Sequence, residues 1–353
     1  MSFDKMRITA MGKNSPLSDV VLKALQEGEL NVTNLRAPGF RALAPLTDRA
    51  QVVIDKAVVE VGMQRLTFVA DLLAEGLTYN LTDPLSVTQI EWNKTNRVGA
   101  AQRVMTPSSR TENKLPNVLS SRLPIYLTTD GFELDIRTLK MSQRIGTPLD
   151  VSLVQQCTRA VNEAFEDAAL NGATTLDGLD LNVAGYTAPG LLNAPDANLY
   201  PLSVDWTGAN TIGTTGPAMA ADLLGMIDAL QADFKYGPYN LYVGTKTMNL
   251  MQGDFKVNTT DTIQKRLEMI QAGGRPIKFR SADLYPAAAV GKQATLVQMT
   301  NDVVDIVVGQ PPTVIPWTSL DGFTIHNIVM GIMIPRVRSD YNGNSGIVHG
   351  TRA

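Results

Sequence analysis

RLPIYLTTDGFELDIRTL at residues 122–139 and PLDVSLVQQCTRAVNEAFEDAALNG at residues 148–172 decide the fold of this 353-residue chain. In the first stretch Leu123, Ile125 and Leu127 repeat at every second position. After an expected turn at Asp130-Gly131, Phe132, Leu134 and Ile136 continue the rhythm. Such alternation sets one strand face on a core and the other in solvent. In the second stretch Pro148 and Asp150 are start signals, Val154, Val161, Phe165 and Ala168 recur at helical spacing, and Asn171-Gly172 is a stop. The pattern predicts a long half-buried strand and a long amphipathic helix over 150–171. Val154, Val161 and Phe165 are its core side, expected to pack on the sheet that contains Leu134 and Ile136. Nothing in either element looks catalytic.

Outward from this centre the chain divides by character. Residues 1–43 hold one short helix, SDVVLKALQEG, among Asn-, Pro- and Gly-rich flanks, and read as an arm. Residues 44–76 are helical, with Val53, Ala57 and Val61 on one face, Leu66, Val69 and Leu73 continuing beyond Gly62, and Gly76 as the stop. Residues 77–121 are polar, with isolated Ile90, Trp92 and Val98 and the basic residues Lys94, Arg97, Arg103, Arg110 and Lys114. A stretch with so little apolar content cannot bury itself, so it is either disordered or a hairpin exposing Ile90, Trp92 and Val98 until another surface covers them. Residues 173–217 read as loops. Over 217–316 the chain returns to regular structure: the helix AMAADLLGMIDALQADF with a stripe of Ala220, Leu223, Leu224, Ile227 and Leu230, then the buried strand YNLYVG, two short helices, and strands in PIKFRSADL, ATLVQM and VDIVVG. A last apolar strand, FTIHNIVMGIMIPRV, and a Gly- and Asn-rich tail complete 317–353.

Composition excludes several classes. With 44% hydrophobic residues the chain can bury a substantial core, and a net charge of -3 supplies no global basic field for sequence-specific nucleic-acid binding. The single cysteine, Cys157, lies on the apolar side of the long helix and reads as a small buried thiol, which suits a reducing cytoplasm. No apolar run reaches the length of a membrane span, and the start has no signal-peptide segment. The two histidines, His326 in an apolar strand and His349 in the tail, support neither a zinc cluster nor a catalytic triad. IGTTGP lacks the lysine of a phosphate loop, Asp177, Asp180 and Asn182 lack the alternation of a calcium loop, and Ser345 has no strand-to-helix elbow. No cofactor, metal or enzymatic activity is expected.

Several motifs in order resemble the major capsid proteins of tailed bacteriophages, in the branch shared with encapsulin shell proteins. APLTDRAQVVIDKA at 44–57 with RLTFVA looks like the amino-terminal helix motif, and RLPIYLTTDGFELDIRTL with GTPLDVSLV resembles the junction of strand and spine helix. GLLN at 190–193, YGPYNLYVGTKTMNLM at 236–251 and IVVGQ at 306–310 follow in the expected order.

The resemblance implies an α+β chain with the Hong Kong phage major capsid fold. Residues 1–43 would be the N-terminal arm, 44–76 peripheral-domain helices, 77–121 the extended loop, and 122–216 the peripheral domain with the spine helix at 150–171. Residues 217–316 would be the axial domain, and 317–353 a returning peripheral strand and tail. The extended loop would touch neighbouring subunits through Ile90, Trp92, Lys94, Arg97, Arg103, Arg110 and Lys114. The loop at 252–262, with Asp254, Lys256 and Asp261, would lie near the capsomer axis. Some relatives join a loop lysine to an asparagine of another subunit; ordinary solvation or ion pairing is the expectation for Lys94 and Lys114.

The implied function is a structural subunit forming hexamers and pentamers of an icosahedral head around double-stranded DNA, touched non-specifically on the inner face. A separate scaffold, a portal and decoration proteins would be partners, with no membrane, and the chain would be a virion component assembled in the host bacterial cytoplasm. The alternative is an encapsulin nanocompartment around an enzyme cargo. The residues before the APLT motif and the long excursion at 187–216 favour the phage capsid.

Overall fold

The computed structural model describes residues 67–96, 105, 115–137, 140–141, 152–174, 179–208, 210–256, 261–285, 291–319 and 323–352. The expected arm, the helices before residue 67 and Val98 lie outside these residues. In chain order the elements begin with α1 (Phe68–Ala74), β1 (Thr78–Asn80), β2 (Gln89–Thr95), β3 (Val118–Pro124), β4 (Thr128–Asp135) and α2 (Ser152–Asn171). The excursion contains β5 (Asn182–Val183), β6 (Tyr186–Thr187) and β7 (Asn198–Pro201). Then come α3 (Thr215–Ala232), β8 (Tyr239–Val243), α4 (Thr245–Met251), α5 (Ile263–Glu268), β9 (Gln271–Ala272), β10 (Arg275–Pro276), β11 (Lys278–Ser281), β12 (Lys292–Gln298), β13 (Val304–Thr318), β14 (Thr324–Val337) and β15 (Ile347–Thr351).

Two compact units divide the described residues: those within 133–149 and 316–327 belong to one, and those within 55–132, 150–315 and 328–353 to the other. In the smaller unit Trp317 stacks on His326 at 5.4 Å, His326 Nδ1 lies 3.0 Å from Glu133, and Ile136 N–H donates to the Phe323 carbonyl.

The larger unit is built around α2. Val154, Val161 and Phe165 are each 1% exposed, as the helical spacing requires, and Cys157 is buried beside them. Gly331 of β14 exists for Phe165, since a Cβ there would meet the Phe165 ring at 2.7 Å. Thr158, Asn162 and Glu166 form a second buried row at four-residue spacing. Glu166 accepts hydrogen bonds from Thr67 Oγ1 (2.6 Å), Phe68 N (2.7 Å) and Val69 N (3.1 Å), which fastens the start of α1 to α2. Burial pushes its carboxyl above the usual range while these three donors pull the other way.

The GLLN motif has a physical reason. A helix leaves its last carbonyls unpaired, and here Leu191 N–H donates to Ala169 O at 2.8 Å, Leu192 N–H to Leu170 O at 2.7 Å, and the Asn193 amide to Asn171 O. Gly172, at φ +92, turns the chain out of the helix. Gly190 is required by the approach: a Cβ there would stand 2.3 Å from Gly172 N and 2.7 Å from Leu170 C.

Four expectations from the sequence are corrected. Asp130-Gly131 is not a turn; it lies inside β4. The break falls at 125–127, where the chain stops pairing with β2 and enters the four-stranded sheet of order β1-β13-β14-β4, so apolar alternation persists although the partner changes. Leu127 is therefore exposed. The carboxy-terminal tail ends in a strand: β15 is an inner strand of a five-stranded sheet of order β11-β8-β12-β15-β7. It is covered on both faces, so it shows no alternation to read. Its partner β7 is an edge strand inside what read as loops. In α3 the buried stripe is Met219, Leu223, Met226, Ile227 and Leu230, while Leu224 is exposed.

Phe165→Asp would bury an unpaired charge against Gly331 and should cost several kcal/mol, abolishing soluble folding. Wild-type solubility and melting of that variant would refute the placement. Gly190→Ala should lower stability by roughly 2 kcal/mol or more, because backbone atoms on both sides must shift; thermal unfolding monitored by circular dichroism reads it.

Candidate functional site

β2 and β3 pair in antiparallel register from Gln89↔Pro124 to Thr95↔Val118, so the described parts of the polar segment form the two strands of a hairpin. Its base differs from the expectation. Ile90 is buried in its own chain with Leu123, Val307, Ile332 and Ile334, and Trp92 packs half-buried on the same cluster. The correction has a simple cause: cross-strand pairing places Ile90 opposite Leu123 on the covered face, which the low apolar content of the segment did not reveal. Arg97, Arg103, Arg110 and Lys114 lie outside the described residues. Farther along the hairpin Leu115, Val118 and Leu119 are exposed.

Lys94 is committed within its own chain. Its ammonium donates to Asp196 at 3.0 Å and to Ser339 at 2.6 Å, and the Ser339 hydroxyl donates to Asp196. Burial would raise the Asp196 carboxyl, but the bonds from Ser339 and Lys94, with the lysine charge, hold it below the usual carboxylate range. The ion-paired expectation for Lys94 holds.

Behind this network Asp305 receives Arg336 Nε at 2.8 Å and Nη2 at 2.5 Å, together with Arg338 Nη2 at 2.7 Å. The Arg336 guanidinium lies 4.6 Å from the Tyr79 ring centroid and 5.8 Å from that of Trp92. Glu166, Asp196, Asp305 and Arg336 were not singled out from the sequence. Glu166 alone carried a signal, the spacing Thr158, Asn162, Glu166 beside an apolar stripe; Asp305 and Arg336 meet through the pairing of neighbouring strands, and Asp196 reaches Lys94 from a turn.

In the expected axial loop Asp254 bridges to Thr262, Asp261 pairs with Lys265 at 2.9 Å, and the Lys256 ammonium lies 5.9 Å from the Phe255 ring. Thr262 caps α5 by accepting Lys265 N–H. Ser345 is buried and its hydroxyl accepts Ile347 N–H. His349 is also buried, with Nδ1 2.9 Å from Thr295 Oγ1, which in turn lies 2.7 Å from Tyr285 OH. Among the described residues no cluster of three or more His, Cys, Asp or Glu could hold a metal. None of these helices is long and apolar enough to cross a membrane.

A family model described as a family of unknown function, DUF6260, matches residues 82–350. The chain belongs to this family. No curated protein matches the chain. Solved structures supply what the DUF6260 description does not. The capsid of Myoviridae Phage XM1 is similar at 14% identity and TM-score 0.61, over 82% of this chain and 94% of that one. A virus-like particle from Pyrococcus furiosus is similar at 15% identity and TM-score 0.54, over 84% and 97%. The capsid of a native GTA particle is similar at 12% identity and TM-score 0.55, over 82% and 92%. This DUF6260 chain therefore has the α+β Hong Kong phage major capsid fold.

Burial, and then the charge of Lys292, lower the His349 imidazole to about 3. Unfolded, it titrates near ~6.5. The folded state therefore binds fewer protons in this window. Its contribution is full above the unfolded value and is lost as pH falls from ~6.5 towards 3, on the order of 5 kcal/mol in all. His349→Gln should show a shallower fall in urea stability between neutral and acid pH than wild type; parallel pH profiles would contradict this.

Proposed function

We propose that this chain is the major capsid subunit of a tailed-phage head, a structural protein without enzymatic activity that assembles with its own copies into hexamers and pentamers of an icosahedral shell. The observation that carries the reading is the capsid-subunit fold shared over 82% of this chain and 94% of the phage XM1 chain. A physical argument agrees with it. Leu115, at 88% exposure, and Val118 and Leu119, at about half, leave apolar surface on a narrow hairpin that no core among the described residues covers. A neighbouring subunit would cover it, with the rest of the extended loop and the basic residues Arg97, Arg103, Arg110 and Lys114 joining the contact. On this reading residues 217–316 form most of the axial domain and the loop with Asp254, Lys256 and Asp261 lies near the symmetry axis.

The enclosed cargo is double-stranded DNA, touched non-specifically on the inner face, with a separate scaffold and a portal completing the head in the host bacterial cytoplasm. The second reading, an encapsulin-type shell around an enzyme cargo, is favoured only by the likeness to the Pyrococcus furiosus particle, at the lower TM-score of 0.54.

The purified chain, alone or with its scaffold, should form capsomer rings or closed shells of megadalton mass, measured by light scattering and negative-stain microscopy. A stable monomer at every salt and protein concentration would overturn the proposal. Leu119→Asp, which charges the exposed apolar end of the hairpin, should block assembly while leaving the melting of the subunit within about 0.5 kcal/mol of wild type.

A further inference from the structure

His326 is the histidine of this chain that solvent reaches: its side chain is 26% exposed, whereas His349 is buried. It stands near the end of the β13–β14 hairpin between two unlike groups. The face of the imidazole stacks on Trp317 of β13, with ring centroids 5.4 Å apart and planes 18° from parallel. At the ring edge, Nδ1 lies 3.0 Å from the Glu133 carboxylate of β4. One residue from each of three neighbouring strands therefore meets at a single ring.

Two backbone hydrogen bonds share this corner with the imidazole. Ser319 N–H donates to the Thr324 carbonyl at 2.9 Å, closing the hairpin, and Ile136 N–H donates to the Phe323 carbonyl at 3.0 Å, joining the hairpin to the chain just past β4. Trp317 is half-buried and Phe323 is 71% exposed, so little apolar burial holds the corner. Strand alternation puts Asp135 on the same face of β4 as Glu133. Arg137, whose N–H donates to Asp135 at 3.0 Å, and Lys140 are exposed beyond the strand's end. The described residues of β13 from Thr313 onward and of β14 as far as Pro335 bring no other charge to the ring. A neutral imidazole can give Glu133 one ordinary hydrogen bond. Once protonated, it makes that bond charge-assisted and presents a cation to the indole face. Both contacts strengthen with the same proton, and imidazole is the side chain whose charge changes between about pH 5 and 8. The hold is therefore full in acid and is lost as pH rises.

We propose that Trp317, His326 and Glu133 form a proton-operated latch, which fastens the end of the β13–β14 hairpin to β4 in mildly acid solution and loosens it at neutral pH and above. The bistable element is the hairpin end, held by few other contacts, and the proton biases it by charging one ring with a carboxylate at its edge and an indole on its face. All three residues belong to one compact unit of one chain, so the latch does not rest on the assembly reading.

Two measurements on the full chain, made between about pH 5 and 8, test this. A protonated imidazole in contact with an indole quenches its emission far more than a neutral one does. The Trp317 emission, read as the difference between each chain and its Trp317→Phe counterpart, should therefore fall on acidification of the wild type. It should stay level in His326→Gln, whose amide keeps a donor for Glu133 but takes up no proton. Hydrogen exchange reads the hold itself. Protection factors of the Ile136 and Ser319 amides, which divide out the chemical dependence of exchange on pH, should be about threefold higher at the acid end than at the alkaline end. His326→Gln should bring that ratio to about one, and Glu133→Gln should preserve the quenching while lowering the ratio below about twofold. Both side chains are partly exposed, so glutamine replaces either without unfolding the chain. Level Trp317 emission in the wild type would overturn the proposal, as would equal protection across the pH range or an undiminished ratio in Glu133→Gln. Both readouts are local to each chain, so their failure is distinguishable from failure to assemble.

Discussion

Everything in the larger unit depends on how the helix Ser152–Asn171 is buried along two faces at once. One row, Val154, Val161 and Phe165, is apolar and needs only close packing, which Gly331 supplies by having no side chain. The adjacent row, Thr158, Asn162 and Glu166, is polar and needs partners. Glu166 finds them in the hydroxyl and two backbone N–H groups at the start of α1, so a buried carboxylate fixes where the preceding helix begins. The far end of the helix is held by the 190–193 segment, whose backbone donors satisfy carbonyls that would otherwise be left unpaired. A single helix thus sets the entry of α1, the path of the excursion and the seat of β14.

From that frame the hairpin projects on a base that is rigid for identifiable reasons. Ile90 and Leu123 anchor it in the core, and Lys94, Asp196 and Ser339 tie its polar face to two distant segments. Farther out, apolar residues remain exposed. A firm base with an uncovered apolar end suits an element whose partner is another molecule, since the base limits the ordering cost at contact. The second sheet is joined to the same frame through α1: Tyr242 OH donates to Asp71 at 2.9 Å, and Phe68 meets the Tyr242 ring edge-on at 5.1 Å.

The sequence by itself determined the elements whose burial is one-sided or whose ends are marked. The stripe through Val154, Val161 and Phe165, the stop at Asn171-Gly172, the buried run YNLYVG and the long apolar strand near the end were legible because period and punctuation are local properties. The order of weak motifs also carried the capsid-type fold. Tertiary structure alone decided the rest. β15, with His349 and Gly350 inside a sheet, has no alternation because both faces are covered, and a Gly- and Asn-rich neighbourhood disguised it as a tail. Ile90 looked unburied because its partner Leu123 lies more than thirty residues away and becomes a neighbour only through strand pairing. Asp305 and the two arginines are some thirty residues apart, and Lys94 and Asp196 about a hundred, and no local pattern marks which charge will meet which. Periodicity records which face of an element avoids water; it carries no record of what lies opposite.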